Sequence, residues 1–222
     1  MPSNYDNSAS FYDRLSRIVY GKALITSQVY LLQFIPANSS VLIAGGGTGW
    51  ILEEIAKIHS SGLTITYVEI SAKMTALAQQ RNCGANQVVF INKPIEEVED
   101  ATMYDVSITP FLFDNFTEET LDGVFVHLHQ RLKPEGIWLC TDFQLTGKLW
   151  QGVLLKLMYY FFRILCGIET TTMPDIESRF VKYHYKKIAA KTFFGEFIVS
   201  TEYRKIAPSK SPPGGETFKK HF

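Results

Sequence analysis

Gly45, Gly47 and Gly49 stand between an apolar run, VLIA, and an amphipathic run, WILEEIAKI. A glycine turn between a strand and a helix lets the backbone approach a ligand closely. The helix N-terminus beyond it offers free N–H groups and a partial positive charge to a carboxylate or phosphate. Glu69 follows 20 residues after Gly49, at the end of the next β-branched run. A carboxylate there can accept both hydroxyls of a ribose. Together these features ask for an adenosine-containing ligand. The string itself fits two frames, a dinucleotide turn on Ala44, Gly46 and Gly49 or the alternating set on Gly45, Gly47 and Gly49.

Two acids are placed for proton removal, which needs a base within hydrogen-bond reach of the reacting atom. Asp114 follows ITPFLF and Asp142 ends IWLCTD. Each also reads as a capping or solvated loop acid. His127 and His129 share a helix but not a face, since residues two apart diverge, so no metal is expected there. Neither GxSxG nor HExxH occurs, which leaves a serine hydrolase or zinc protease unsupported. Cys83, Cys140 and Cys166 are odd in number and widely spaced, so a disulfide framework is excluded.

The elements that must position these residues repeat a pattern. After a helical stretch over 4–35, strands are expected at 41–44, 63–70, 87–91, 104–109 and 137–142. Helices follow most of them, with Ser71 and Thr117 as N-caps. LKPEG reads as a turn before the fifth strand, and 188–193 and 197–204 read as closing strands around Gly195. The expectation is an α/β class fold: a Rossmann-like, doubly wound, mostly parallel seven-stranded sheet with a helical N-terminal cap and a helical lid insertion after strand five. In such sheets a ligand sits beyond the carboxyl ends of the strands. One domain over 1–222 is expected, with cap helices at 1–39, a cofactor-binding core at 40–146, lid and closing strands at 147–206 and a flexible tail at 207–222.

The chain has no net charge, yet residues 1–146 hold 16 acids and 9 bases (net −7), and residues 147–222 hold 6 acids and 13 bases (net +7). That division, with no basic stacking motif, makes a nucleic-acid partner unexpected. MPSNYDNSAS lacks the basic-then-apolar order of a secretory signal, and the reading is cytoplasmic. Leu149 to Ile168 is apolar but carries Lys156 and Arg163, so a transmembrane span is not expected. Three readings of this segment stay open: a core or homodimer-interface helix, the lid of an apolar pocket, or a peripheral membrane-surface helix.

The order of VLIAGGGTGW, YVEIS with AKMTALA, YDVSIT and LKPEGIWLCTD resembles the class I S-adenosylmethionine-dependent methyltransferases, nearest the ubiquinone/menaquinone-biosynthesis branch. FYDRLSRIVYG is similar to the cap helix of that branch. The resemblance covers residues 5 to about 145. It implies S-adenosyl-L-methionine as cofactor, S-adenosyl-L-homocysteine as product and a small, apolar or aromatic acceptor. It further implies that Gly45, Gly47 and Gly49 pass under the methionine part, Glu69 holds the ribose and Ile70 lies on the adenine. Thr109 to Phe111 would flank the methyl group, and Tyr12 would cover the cofactor. Ile43 stands where the family usually has an acid. Pro94 stands where an aspartate often meets the adenine amine, leaving the Ile95 N–H to serve. An NAD(P)-dependent oxidoreductase and a non-catalytic methyltransferase-like binding protein remain alternatives.

Overall fold

The structure, a computed structural model, describes residues 19–99, 101–166, 170 and 172–206. Its strands are β1 (Ser40–Ala44), β2 (Ser61–Val68), β3 (Ala85–Ile91), β4 (Tyr104–Pro110), β5 (Leu132–Phe143), β6 (Tyr185–Phe193) and β7 (Ile198–Lys205). They form one sheet in the order β3-β2-β1-β4-β5-β7-β6. β7 runs antiparallel to both neighbours, and the other pairings are parallel. The antiparallel strand thus lies one place inside the edge, because the hairpin through Gly195 returns β7 between β5 and β6. The helices are α1 (Ala23–Leu32), α2 (Trp50–Ile58), α3 (Ala72–Ala78), α4 (Glu118–Arg131), α5 (Leu149–Cys166) and α6 (Ile176–Lys182).

Strand periodicity explains the layers. Along β1, Val41 and Ile43 enter one apolar cluster with Ile55, Ile65 and Leu139, while Leu42 and Ala44 enter the opposite one with Phe125, Trp138 and Phe180. Successive side chains point to opposite faces, so a strand buried on both faces reads as continuous apolar sequence. Ile43, in the place of the usual acid, is wholly buried in this core. In the second layer the Phe125 and Trp138 rings stack at 4.8 Å and Phe180 lies on Tyr203 at 3.7 Å.

Both expected N-caps form. The Ser71 hydroxyl accepts from Met74 N at 3.2 Å, and that of Thr117 from Thr120 N at 3.4 Å. The helical stretch expected over 4–35 is interrupted. Gly21 takes φ +60° and α1 begins only at Ala23, since a left-handed residue cannot continue a right-handed helix; residues 4–18 lie outside the described residues. LKPEG is drawn into β5: Leu132 pairs with Tyr104, and regular pairing resumes at Ile137 opposite Val106. Glu135 between them takes φ +62°. Among the described residues no helix is long and apolar enough to cross a membrane.

A third cluster, of Tyr20, Phe143, Leu155, Tyr159, Phe197 and Ile198, seats α5 over the carboxyl ends of β4 and β5. This cluster roofs the site.

Candidate functional site

The glycine turn leaves β1 with Gly45 N donating to Val68 O at 2.9 Å. Gly47 and Gly49 have different reasons to lack a side chain. Gly47, at φ +64°, has no atom within 4 Å of where a Cβ would stand, so its face borders open space. Gly49 is the left-handed N-cap of α2, and a Cβ there would lie 2.5 Å from Ala78 Cβ and 2.6 Å from Ala78 Cα. It packs α2 against α3 and does not line the cavity. Gly49→Ala should therefore destabilise the fold by about 2–5 kcal/mol, from left-handed strain and overpacking. Thermal melts check this, and an unchanged Tm would refute it.

Glu69 is buried, and both its oxygens are used: Gly47 N donates to Oε2 and Ser71 N to Oε1, each at 2.9 Å. The carboxylate thus ties the glycine turn to the start of α3. Asn92 Nδ2 donates to the carbonyls of Glu69 and Ile70 at 2.8 and 3.0 Å, fixing the chain that follows β2. The Tyr67 hydroxyl donates to Gly47 O at 2.9 Å.

At the end of β4 the backbone turns off the sheet through Phe111, which takes φ +51°. A left-handed phenylalanine is strained and persists only where surrounding structure holds it. Here Phe111 N donates to Thr141 O at 2.7 Å, and its ring meets that of Phe143 at 5.0 Å. Asp142 holds the next turn, accepting from Phe113 N at 3.0 Å and Phe143 N at 2.8 Å.

These parts surround a cavity of about 610 Å³. Of the sequence-predicted residues, Gly45, Gly47, Glu69, Ile70, Ile95, Phe111 and Asp114 line it. Tyr12 lies outside the described residues. Asp142 does not line the cavity, and its carboxylate faces backbone N–H groups instead. Thr109 is a correction. It is wholly buried, and its hydroxyl accepts from the Trp138 indole at 3.0 Å behind the cavity wall. Pro94 lines the cavity beside Ile95. Residues that sequence reasoning missed include Leu24 and Gln28 of α1, and Phe143. Phe143 adjoins Asp142 at a strand end, a signal that was there to read; nothing local marks the other two. The opposite wall is the inner side of α5, with Leu154, Leu157, Met158, Phe161 and Phe162.

Asp114 and Asp142 are close enough to influence each other. Burial, and then the charge of Asp142, push the Asp114 carboxyl well above the usual carboxylate range. Burial pushes Asp142 up to about 7, against the pull of its backbone donors. Two such groups titrate as a pair. The N–H bonds favour charge on Asp142, so the first proton taken up rests on Asp114. Tyr20, whose hydroxyl donates to Met158 Sδ at 3.3 Å, also lines the cavity, and burial and the Asp114 charge push its pKa upward.

His129 is structural. His129 Nδ1 pairs with the Tyr185 hydroxyl at 3.0 Å, and burial followed by the Lys205 charge pushes its pKa down to about 4. Among the described residues no group of three or more His, Cys, Asp or Glu is arranged to hold a metal ion.

Residues 41–136 match the methyltransferase domain family. The chain is 25% identical over 188 residues to a ubiquinone/menaquinone biosynthesis C-methyltransferase of Geotalea daltonii, covering 82% of this chain and 76% of that one. Its fold is shared with a 1,6-didemethyltoxoflavin-N1-methyltransferase of Burkholderia thailandensis at TM-score 0.63, 14% identity, and coverage of 90% and 85% of the two chains. It is also shared with the magnesium protoporphyrin IX methyltransferase of Synechocystis at TM-score 0.63, 17% identity, and coverage of 90% and 96%. The oxidoreductase alternative is not favoured. The open face of Gly47 and the buried carboxylate of Glu69 beside it suit the cofactor of that family. The matched domain, the relative and this turn support a class I S-adenosylmethionine-dependent methyltransferase.

Proposed function

We propose that this protein methylates a small, apolar or aromatic acceptor held between α5 and the ends of β4 and β5. One observation carries the reading: a single cavity joins the glycine turn and Glu69 to the apolar inner side of α5, with Asp114 in its wall. When bound, the cofactor supplies an electrophilic methyl group for in-line displacement. Glu69 would accept from the ribose hydroxyls while its bonds to Gly47 N and Ser71 N keep the turn closed. The open face of Gly47 would leave room for the methionine part, Ile70 would lie against the adenine, and the Ile95 N–H would meet its edge. Phe111 and Phe143 bound the reacting end and exclude water. Most of the acceleration comes from holding the acceptor in line, and Asp114, once ionised, receives the proton that the acceptor gives up. Asp142 holds the turn that carries Asp114.

The cytosol is the compartment that fits this reading, with contact to a membrane surface through residues 149–168, of which 167 and 168 lie outside the described residues, favoured over a homodimer. S-adenosylhomocysteine at 100 times its dissociation constant should stabilise the protein by about 2.7 kcal/mol, and NADH should leave the melt unchanged. Incubation with methyl-labelled cofactor and a panel of hydroxylated aromatic and aliphatic compounds tests the acceptor class. Transfer only to charged, hydrophilic acceptors would overturn it.

A further inference from the structure

The helix α5 is apolar on two sides. Its inner side, through Leu155, Tyr159 and Phe162, packs into the third cluster and against the cavity. Among the described residues nothing covers its outer side: Leu149 is 89% exposed, Val153 60%, Leu157 61%, Tyr160 68% and Ile164 66%. These five follow spacings of three and four residues, which on a helix make one continuous stripe. An exposed apolar stripe of five large residues marks a contact surface, since isolated apolar residues rather than aligned ones are normal on soluble surfaces. Lys156 and Arg163 are seven residues apart on one edge of the stripe; both are exposed, and neither is ion-paired among the described residues. From Leu149 to Cys166 there is no acid.

Leu157 belongs to both sides. It is mostly exposed and it also lines the cavity, next to Phe161 and Leu154. The apolar stripe is therefore continuous with the wall of the acceptor space, and a molecule passing Leu157 need not cross a polar surface.

We infer that the outer face of α5 docks in the plane of an anionic lipid bilayer, and that the acceptor is a bilayer-resident molecule entering the cavity past Leu157. The second half rests on the acceptor reading proposed above; the first half stands on the surface of α5 alone. An in-plane helix buries an apolar stripe at the boundary of the acyl chains and sets bases among anionic headgroups. Lys156 and Arg163 have long apolar stems that reach around such a stripe to the headgroups, and Tyr160 suits the interface with a wet and a dry end. The occupant is a bilayer rather than a second copy of this chain. A twofold pairing of this face would bring bases together with no acid on α5 to meet them.

The test is flotation of the full chain with vesicles of phosphatidylcholine alone or mixed with phosphatidylglycerol, at low and high salt. The protein should float with the mixed vesicles at low salt and dissociate as salt rises. Lys156→Glu and Arg163→Glu should each weaken binding by about fivefold or more. Val153→Glu should abolish it while keeping the melting shift with S-adenosylhomocysteine, which shows that the variant is folded, and keeping turnover on a water-soluble acceptor. Absence of flotation with either vesicle overturns the docking. So does a wild-type dimer in sedimentation that Val153→Glu converts to monomer without any vesicle binding, which would give the face to a second copy. Flotation without faster turnover of a vesicle-embedded acceptor over the same acceptor in detergent overturns the entry route alone. Failure of methyl transfer to every apolar acceptor, with flotation intact, overturns the acceptor reading and leaves the docking standing.

Discussion

Asp114→Asn is expected to lower kcat by about 10²–10⁴-fold, the range for a positioned acid–base group, and to leave S-adenosylhomocysteine affinity nearly unchanged. The same substitution should make the protein more stable at neutral pH. Asp114 lies well above, and Asp142 at about 7 against, the ordinary carboxyl value of 3.8. The folded state therefore holds more protons than the unfolded state between that value and the raised ones. For a group raised on folding, stability is fully present below the unfolded value and is lost as pH climbs through the folded one. The slope is up to about 1.4 kcal/mol per pH unit for each proton. The amide that replaces the Asp114 carboxyl cannot ionise, so its part of the loss disappears. The variant should melt higher than wild type at about pH 8 and show no such advantage at about pH 4. Catalysis runs the other way. Wild-type turnover should rise with pH as Asp114 ionises, and the variant's residual turnover should be flat. Paired loss of kcat and cofactor affinity would assign Asp114 to binding or folding, and equal melting shifts at both pH values would remove the buried-carboxyl argument.

The order of the elements was legible because the central strands of this sheet are buried on both faces. VLIA and YDVSIT are apolar or β-branched runs with punctuation at both ends, and Ser71 and Thr117 announce the helices that they cap. The glycine turn and Glu69 were legible because their spacing follows from chain geometry within one strand–helix–strand unit. The wall of the site was less so. A rule that ligands lie beyond strand ends gives distance along a strand but not the face. Thr109 stands at the right height and points into the core at Trp138. Asp142 stands one residue from Phe143, and the alternation sends Phe143 to the cavity and the Asp142 carboxylate to backbone donors. Leu24 and Gln28 arrive from a helix over 80 residues away from Phe111 in sequence, through packing that leaves no local mark. The segment after β5 was ambiguous for a different reason. A helix apolar on both sides has the pattern of a lid and of a surface helix at once, and only the tertiary arrangement separates its inner side from its outer one.

Glu69→Ala should weaken S-adenosylhomocysteine binding on the order of 100-fold or more, from the loss of two hydrogen bonds to a charged acceptor at about 1.5–3 kcal/mol each. It should also lower Tm without ligand, because Gly47 N and Ser71 N lose the oxygens that they meet at 2.9 Å. A buried donor left without a partner costs about 1–3 kcal/mol. Two effects are thus mixed in one number: the ribose contact and the ordering of the turn. They separate in a cycle that pairs Glu69→Ala with the 2′-deoxyribose analogue of S-adenosylhomocysteine, measured calorimetrically. If the carboxylate holds the ribose, wild type prefers the ribose ligand and the variant loses the preference, giving a coupling well above the few tenths of a kcal/mol expected for independent sites. If Glu69 only closes the turn, both proteins keep the same preference between the two ligands, and the ribose role falls. Glu69→Gln sharpens the distinction. It keeps one oxygen for Gly47 N or Ser71 N but turns an amide donor toward the other, so its Tm should fall although the side chain keeps its size. A Gln variant with wild-type Tm and weakened binding would mean that the charge acts on the ligand and hardly on the turn.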